Sequence, residues 1–181
     1  SVARLLAPKL TPAPGAVVLR SDVLRKRLAG MAEAERLPAA AYTAKATKQV
    51  YGELLRRATL VAEAGHSVIV DATFTDPIQR RAAEKAAPRA VPFTGVWLVA
   101  AKRVLLDRVA ARRGDASDAD RDTVAAQLQL PLGDIGWAKV AAGGTVAQSA
   151  RAALAQLRAG KPTPATGGKP GTARRRRPDR A

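Results

Sequence analysis

Cysteine is absent from the 181 residues, and aromatic residues make up only 3% of them. Without thiols there is no disulfide frame and no thiolate metal site, so a cytoplasmic protein is expected. The single histidine, His66, follows Gly65 in the turn before a strand and reads as a surface residue. One histidine without cysteine provides neither a zinc cluster nor a Ser/His/Asp triad. No run approaches the ~20 apolar residues of a membrane helix, and no basic-then-apolar leader opens the chain. The scarcity of aromatics removes the stacking platforms on which single-stranded nucleic acid is usually held. The first residue is Ser1 rather than Met, and it leads straight into a helical pattern, which reads as a fragment or a processed start.

What is abundant is positive charge. The chain carries a net +16. Residues 161–181 hold seven basic groups (Lys161, Lys169, Arg174, Arg175, Arg176, Arg177, Arg180) against Asp179, which leaves +10 for residues 1–160. A basic body suits either nucleic acid or a small phosphorylated ligand such as a nucleotide. From Gly160 onward Pro, Gly, Thr and Arg dominate without apolar period, so a disordered basic tail is expected over 159–181, with weak, salt-sensitive affinity for nucleic acid through Arg174–Arg177.

Residues 1–158 alternate two periodicities. Val2, Leu5, Leu6 and Leu10 sit near helical spacing until Pro12 and Pro14. Short apolar runs at 16–20, 67–73 and 93–100 read as buried strands, and 136–142 as a last short one. Helices are expected near 22–29, 42–64, 77–87, 102–113, from the acidic stretch 114–118 to Pro131, and 145–158. Apolar strands alternating with helices imply an α/β fold, with a parallel sheet covered on both faces in three α/β/α layers. Ligands of such sheets bind at the carboxyl ends of the strands, so the residues just after each strand carry most information.

Three elements stand there. In Leu19-Arg20-Ser21-Asp22-Val23-Leu24-Arg25-Lys26, a carboxylate sits at the mouth of the sheet with Arg25 one turn along. A kinase needs a carboxylate to orient the proton of an acceptor hydroxyl and a guanidinium fork to hold phosphate. The same Ser21 or Asp22 also suits a helix N-cap. Val68-Ile69-Val70-Asp71-Ala72-Thr73 ends a hydrophobic strand on an acid, which fits either magnesium positioning or the start of a turn. Arg108 and Arg112 lie four apart beside Arg113 and Gly114, which fits either a solvated helix face or guanidiniums that swing over a transferring phosphoryl group.

Together with the opening helix Val2–Pro8, Gly65–Phe74 and Arg108–Ala119, these elements resemble the small P-loop kinases of the AAA_33-type, zeta-toxin-like and polynucleotide-kinase-like group. The resemblance is nearest to the ATP-binding kinase domain fused behind an aminoglycoside-phosphotransferase-like domain, and it covers residues 1 to about 158. It implies a phosphotransferase using ATP and Mg2+ on a hydroxylated small-molecule or nucleotide acceptor. Asp22 would be the acceptor-side base, Arg25 would hold acceptor phosphate with Thr73 on the substrate side, Arg108 and Arg112 would be lid arginines, and Asp71 would position Mg2+ through water. Ser1 falls at the last hydroxyl residue of the phosphate-binding loop, or one after it, and would meet cofactor and metal.

The departure from that group is large. Its members begin with a strand and a glycine-rich loop ending Gly-Lys-[Ser/Thr], and no Gly-x-x-x-x-Gly-Lys occurs in residues 1–181. The missing strand would be the central one, so a gap between its neighbours is expected. Because backbone N–H groups of that loop and its lysine hold the β- and γ-phosphates, residues 1–181 alone should bind ATP poorly and be inactive. A basic nucleic-acid-binding protein and a non-catalytic module on the same fold are the alternatives from other classes.

Overall fold

A computed structural model describes residues 1–111 and 115–159. Helix α1 runs Val2–Leu6, with the Ser1 hydroxyl accepting from Arg4 N at 3.5 Å. The helical spacing that extends to Leu10 tightens into a 3-10 turn at Ala7–Lys9. Pro8 is the physical reason, since it lacks an N–H and its ring crowds the preceding turn. The chain then folds back on itself, with Ala16 N donating to Ala7 O at 2.9 Å. Gly15 makes this approach at φ 121, and a Cβ there would lie 2.3 Å from the same oxygen.

Strand β1 (Val17–Arg20) leads directly into α2 (Ser21–Leu28), and a 3-10 turn at Ala39–Tyr42 precedes α3 (Ala44–Glu63). Strand β2 (Val68–Asp71) is followed by α4 (Pro77–Ala86), with Asp76 as N-cap and proline in the first turn. Strand β3 (Val96–Val99), α5 (Lys102–Ala111), α6 (Arg121–Gln127), β4 (Ala138–Ala141) and α7 (Val146–Arg158) complete the order. A reciprocal Thr145/Gln148 capping box starts α7.

All pairing is parallel, and it forms two separate ladders. β1 pairs with β2 from Val17↔Val68 to Arg20↔Asp71, and β3 pairs with β4 from Val96↔Ala138 to Val99↔Ala141. No ladder joins β2 to β3 among the described residues. The two ladders nevertheless share both helical layers. Ile69 of β2 and Val96 of β3 pack on the cluster of Leu6, Val140, Ala150 and Ala153. On the opposite face Val70 and Trp97 pack on Tyr51, Phe74, Ala83 and Trp137. Alternate residues facing opposite layers is the period-2 geometry of a strand, so the ladders lie in one sheet layer with an unpaired seam between them. A third cluster, Leu24, Val50 and Leu54, locks α2 and α3 onto Leu19. Leu54 is fully buried, and Leu54→Ala there would cost about 2–5 kcal/mol.

Candidate functional site

The register of β1 against β2 sets Arg20 and Asp71 side by side at the carboxyl ends of both strands. Arg20 Nε lies 3.5 Å from Asp71 Oδ2, and Arg20 Nη2 donates to Asp115 Oδ1 at 2.6 Å. Asp22 opens α2 in the same neighbourhood. Burial raises its pKa, and the like charge of Asp71 adds to this, while a hydrogen bond from Ser117 and the charges of Arg20 and Arg25 oppose it. Burial also raises the Asp71 pKa, opposed by Arg20, the amino terminus and Arg4, and reinforced by Asp115. The mouth thus brings together Arg20, Asp22, Asp71 and Asp115. A carboxylate held above its ordinary range, next to a guanidinium, is suited to accepting a proton from a hydroxyl.

Arg25 stands apart from that mouth. It is 8% exposed, donates from Nη1 to Ala41 O at 2.7 Å and Thr47 Oγ1 at 3.4 Å, and stacks over the Tyr42 ring at 5.0 Å. Thr73 is exposed just after β2, its Oγ1 3.2 Å from Tyr51 Oη. The next residue, Phe74, takes φ 47 and donates its N–H to the same tyrosine. Ser1 caps α1 through its hydroxyl. Arg108 donates to the carbonyls of Ala142 (2.6 Å) and Gly144, tying α5 to the turn after β4. Arg112 lies outside the described residues, as do the Arg174–Arg177 run and the rest of 160–181. His66 is exposed in its turn.

The residues fit one of the two ways magnesium is bound. Among the described residues no cluster of three or more His, Cys, Asp or Glu could hold a metal ion. Magnesium commonly keeps several waters and is held by one or two carboxylates plus substrate phosphates, and Asp71 with Asp22 nearby provides that many. A dedicated protein cage is not present in the described residues.

Two buried cations support the mouth, and neither was assigned a role from the sequence. Lys26 is 1% exposed, and its Nζ donates to Glu33 O (2.9 Å), Glu35 O (2.5 Å) and Asp118 Oδ1 (2.9 Å). Asp118 Oδ2 accepts from Leu37 N and from Tyr42 Oη, which joins the segment after α5 to the loop after α2. Those contacts outweigh its burial and hold the Asp118 pKa below the ordinary carboxylate range. Arg80, 3% exposed, donates to the carbonyls of Phe74 (2.7 Å), Thr75 (3.1 Å), Leu132 and Asp134 (3.2 Å), so it shapes the loop after β2. The signal for Lys26 was its place one helical turn from Asp22; Arg80 gave no signal beyond its charge.

The parallel α/β/α fold is P-loop kinase-like, and two solved structures share it. A gluconokinase from Sinorhizobium meliloti aligns with a TM-score of 0.59 at 22% identity, over 87% of this chain and 83% of that one. A protein of Chloroflexus aurantiacus described as a kinase aligns with a TM-score of 0.56 at 18% identity, over 88% of each chain. The AAA domain family AAA_33 matches residues 4–130, and the chain belongs to that family. Uncharacterized proteins of Mycobacterium bovis and Mycobacterium tuberculosis are 37% identical over 117 residues, 62% of this chain. The chain matches only 24% of the length of these relatives. No described helix is long and apolar enough to cross a membrane.

Proposed function

We propose that the chain is the acceptor-side part of an ATP-dependent kinase domain that phosphorylates a hydroxyl group. The observation that carries this reading is the grouping of Asp22, Arg20 and Asp71 at the carboxyl ends of two parallel strands. In it Asp22 takes the acceptor proton, Asp71 positions Mg2+ through water, and Arg20 steadies both carboxylates. Thr73, exposed beside Asp71, contacts the acceptor. Arg25, packed on Tyr42, supports the acceptor side and needs a rotamer change to reach a phosphate. Arg108 and Arg112 belong to the nucleotide side, and Arg108 would first have to leave the Ala142 and Gly144 carbonyls.

ATP affinity requires a phosphate-binding loop that residues 1–181 lack. The unpaired seam between β2 and β3 supports the view that the complete domain carries one more strand there, with that loop at its end. In this reading Ser1, just ahead of α1, meets the phosphates and metal that such a loop would deliver. By the same proposal an aminoglycoside-phosphotransferase-like domain precedes this one in a longer parent chain. The test is phosphoryl transfer by the domain with a strand and Gly-x-x-x-x-Gly-Lys segment joined ahead of Ser1. Asp22→Asn should lower kcat by roughly 100- to 10,000-fold while leaving ATP affinity intact. Unchanged turnover in that variant would remove Asp22 from the reaction.

A further inference from the structure

Helix α2 carries charge on two different sides. Asp22 serves the mouth, and Arg25 and Lys26 hold the segment between α2 and α3. Arg20 just before the helix, with Val23, Leu24 and Arg27 at i+3, i+4 and i+7, faces a separate cavity of about 200 Å³ at the outer edge of β1. Among the described residues it is lined by four arginines, Arg4 on α1, Arg20, Arg27 and Arg57 on α3, against one acidic residue, Glu33. Neither Asp22 nor Asp71 borders it.

These arginines are only partly satisfied. Glu53 takes Arg57 through Nε at 2.7 Å, and Arg27 meets Glu33 at a loose 3.6 Å. No described residue hydrogen-bonds the Arg4 guanidinium. Arg20 alone is fixed firmly, by Asp115 and Asp71. The floor is apolar, formed by Val18, Leu19, Val23, Leu24 and the fully buried Leu54. Arginines gathered around a recess repel one another, an anion relieves that repulsion, and their planar forks match phosphate and carboxylate oxygens. An apolar floor beneath them selects an anion with a hydrophobic body over a bare ion.

We infer that this recess is a second ligand site, distinct from the phosphotransfer mouth, for a small amphiphilic anion: a phosphate or carboxylate attached to a compact apolar group. Arg20 is shared with the mouth, so an occupant there competes with Asp115 for the same guanidinium.

The experiment is a titration of 15N-labelled residues 1–181 with phenyl phosphate, and with inorganic phosphate in parallel, followed by amide NMR shifts. No nucleotide is present, so the outcome is independent of the kinase reading. Phenyl phosphate should saturate a single site that shifts the amides of Val18, Leu19, Val23 and Leu24, and inorganic phosphate should bind at least severalfold more weakly. Arg27→Gln and Arg57→Gln, at side chains 64% and 39% exposed and therefore compatible with folding, should each weaken phenyl phosphate roughly tenfold. Lys139→Gln, on an exposed position of β4, should leave it unchanged. Carboxylate as the native group would show as tighter binding of benzoate than of phenyl phosphate at the same amides. Shifts spread over the basic surface without saturation, or equal affinity in the Arg27 and Arg57 variants, would reduce the effect to general attraction and overturn the site.

Discussion

The two parallel ladders have the same length and the same layered support, and they differ in what stands at their carboxyl ends. β1 and β2 end in Arg20 and Asp71 and run on into Asp22 and Thr73. β3 and β4 end in Val99 and Ala141 and run on into alanines, where the polar groups engaged are backbone carbonyls held by Arg108. Charge that is costly to collect and desolvate has been placed on one ladder, and the other is built as scaffold. On the proposed function the chemistry belongs at the ends of these two adjacent strands.

Substitutions on either side can break that contrast. The largest stability loss should come from Lys26→Met, which leaves the Asp118 carboxylate and two carbonyls without their buried cation. About 3–5 kcal/mol is expected, read as a shift in urea midpoint. On the scaffold side Gly95→Ala would put a Cβ 2.2 Å from the Trp137 ring, and the ring also donates to Glu84 at 2.8 Å, which limits how far it can move. That overpacking should cost about 1–3 kcal/mol in the same measurement. Arg108→Gln should cost only about 1 kcal/mol, because it leaves no charged partner behind and the exposed Gly144 carbonyl can be hydrated. Equal losses for Lys26 and Arg108 would erase the distinction between the two ends.

The smallest expected effect has the opposite sign. Because burial raises the Asp22 pKa from its ordinary 3.8, the folded chain binds this proton more tightly than the unfolded one. Stability therefore falls as pH rises from that ordinary value through the folded value, and the ionised carboxylate costs stability above it. Asp22→Asn should flatten this slope and slightly stabilise the chain at pH 7, measured by urea unfolding at pH 5 and pH 8. Such a gain in stability, together with loss of transfer, is the trade-off expected of a residue with the proposed role.

Much of the fold was legible because it rests on periodicity. All four strands fall within the runs read from apolar residues, and the helix starts at Asp76-Pro77 and Thr145 follow capping rules. The seam between β2 and β3 was expected from the absent first strand, and it is present. The polar interior was not legible. On α4 the amphipathic rule is inverted: Ile78 is 67% exposed while Arg80 is 3% exposed. No local pattern announces that four carbonyls, two of them more than 50 residues away, will satisfy that guanidinium. Lys26 escaped for the same reason, since its partner Asp118 lies 92 residues along the chain. At the mouth Arg20, Asp22 and Asp71 stood out from their places at strand ends, whereas the Arg20–Asp71 pairing came from the register of the ladder and the contact with Asp115, 95 residues along, from the tertiary fold.

On the proposed function, residues 1–181 hold the acceptor side of a kinase domain whose phosphate grip lies on a strand outside them. Calorimetry of Mg·ATP tests it most directly, on residues 1–181 alone and on the same residues with a strand and Gly-x-x-x-x-Gly-Lys segment joined ahead of Ser1. No saturable heat in the first case and micromolar affinity in the second are predicted, a gain of at least ~100-fold, or about 2.7 kcal/mol. Micromolar binding by residues 1–181 alone would contradict the claim.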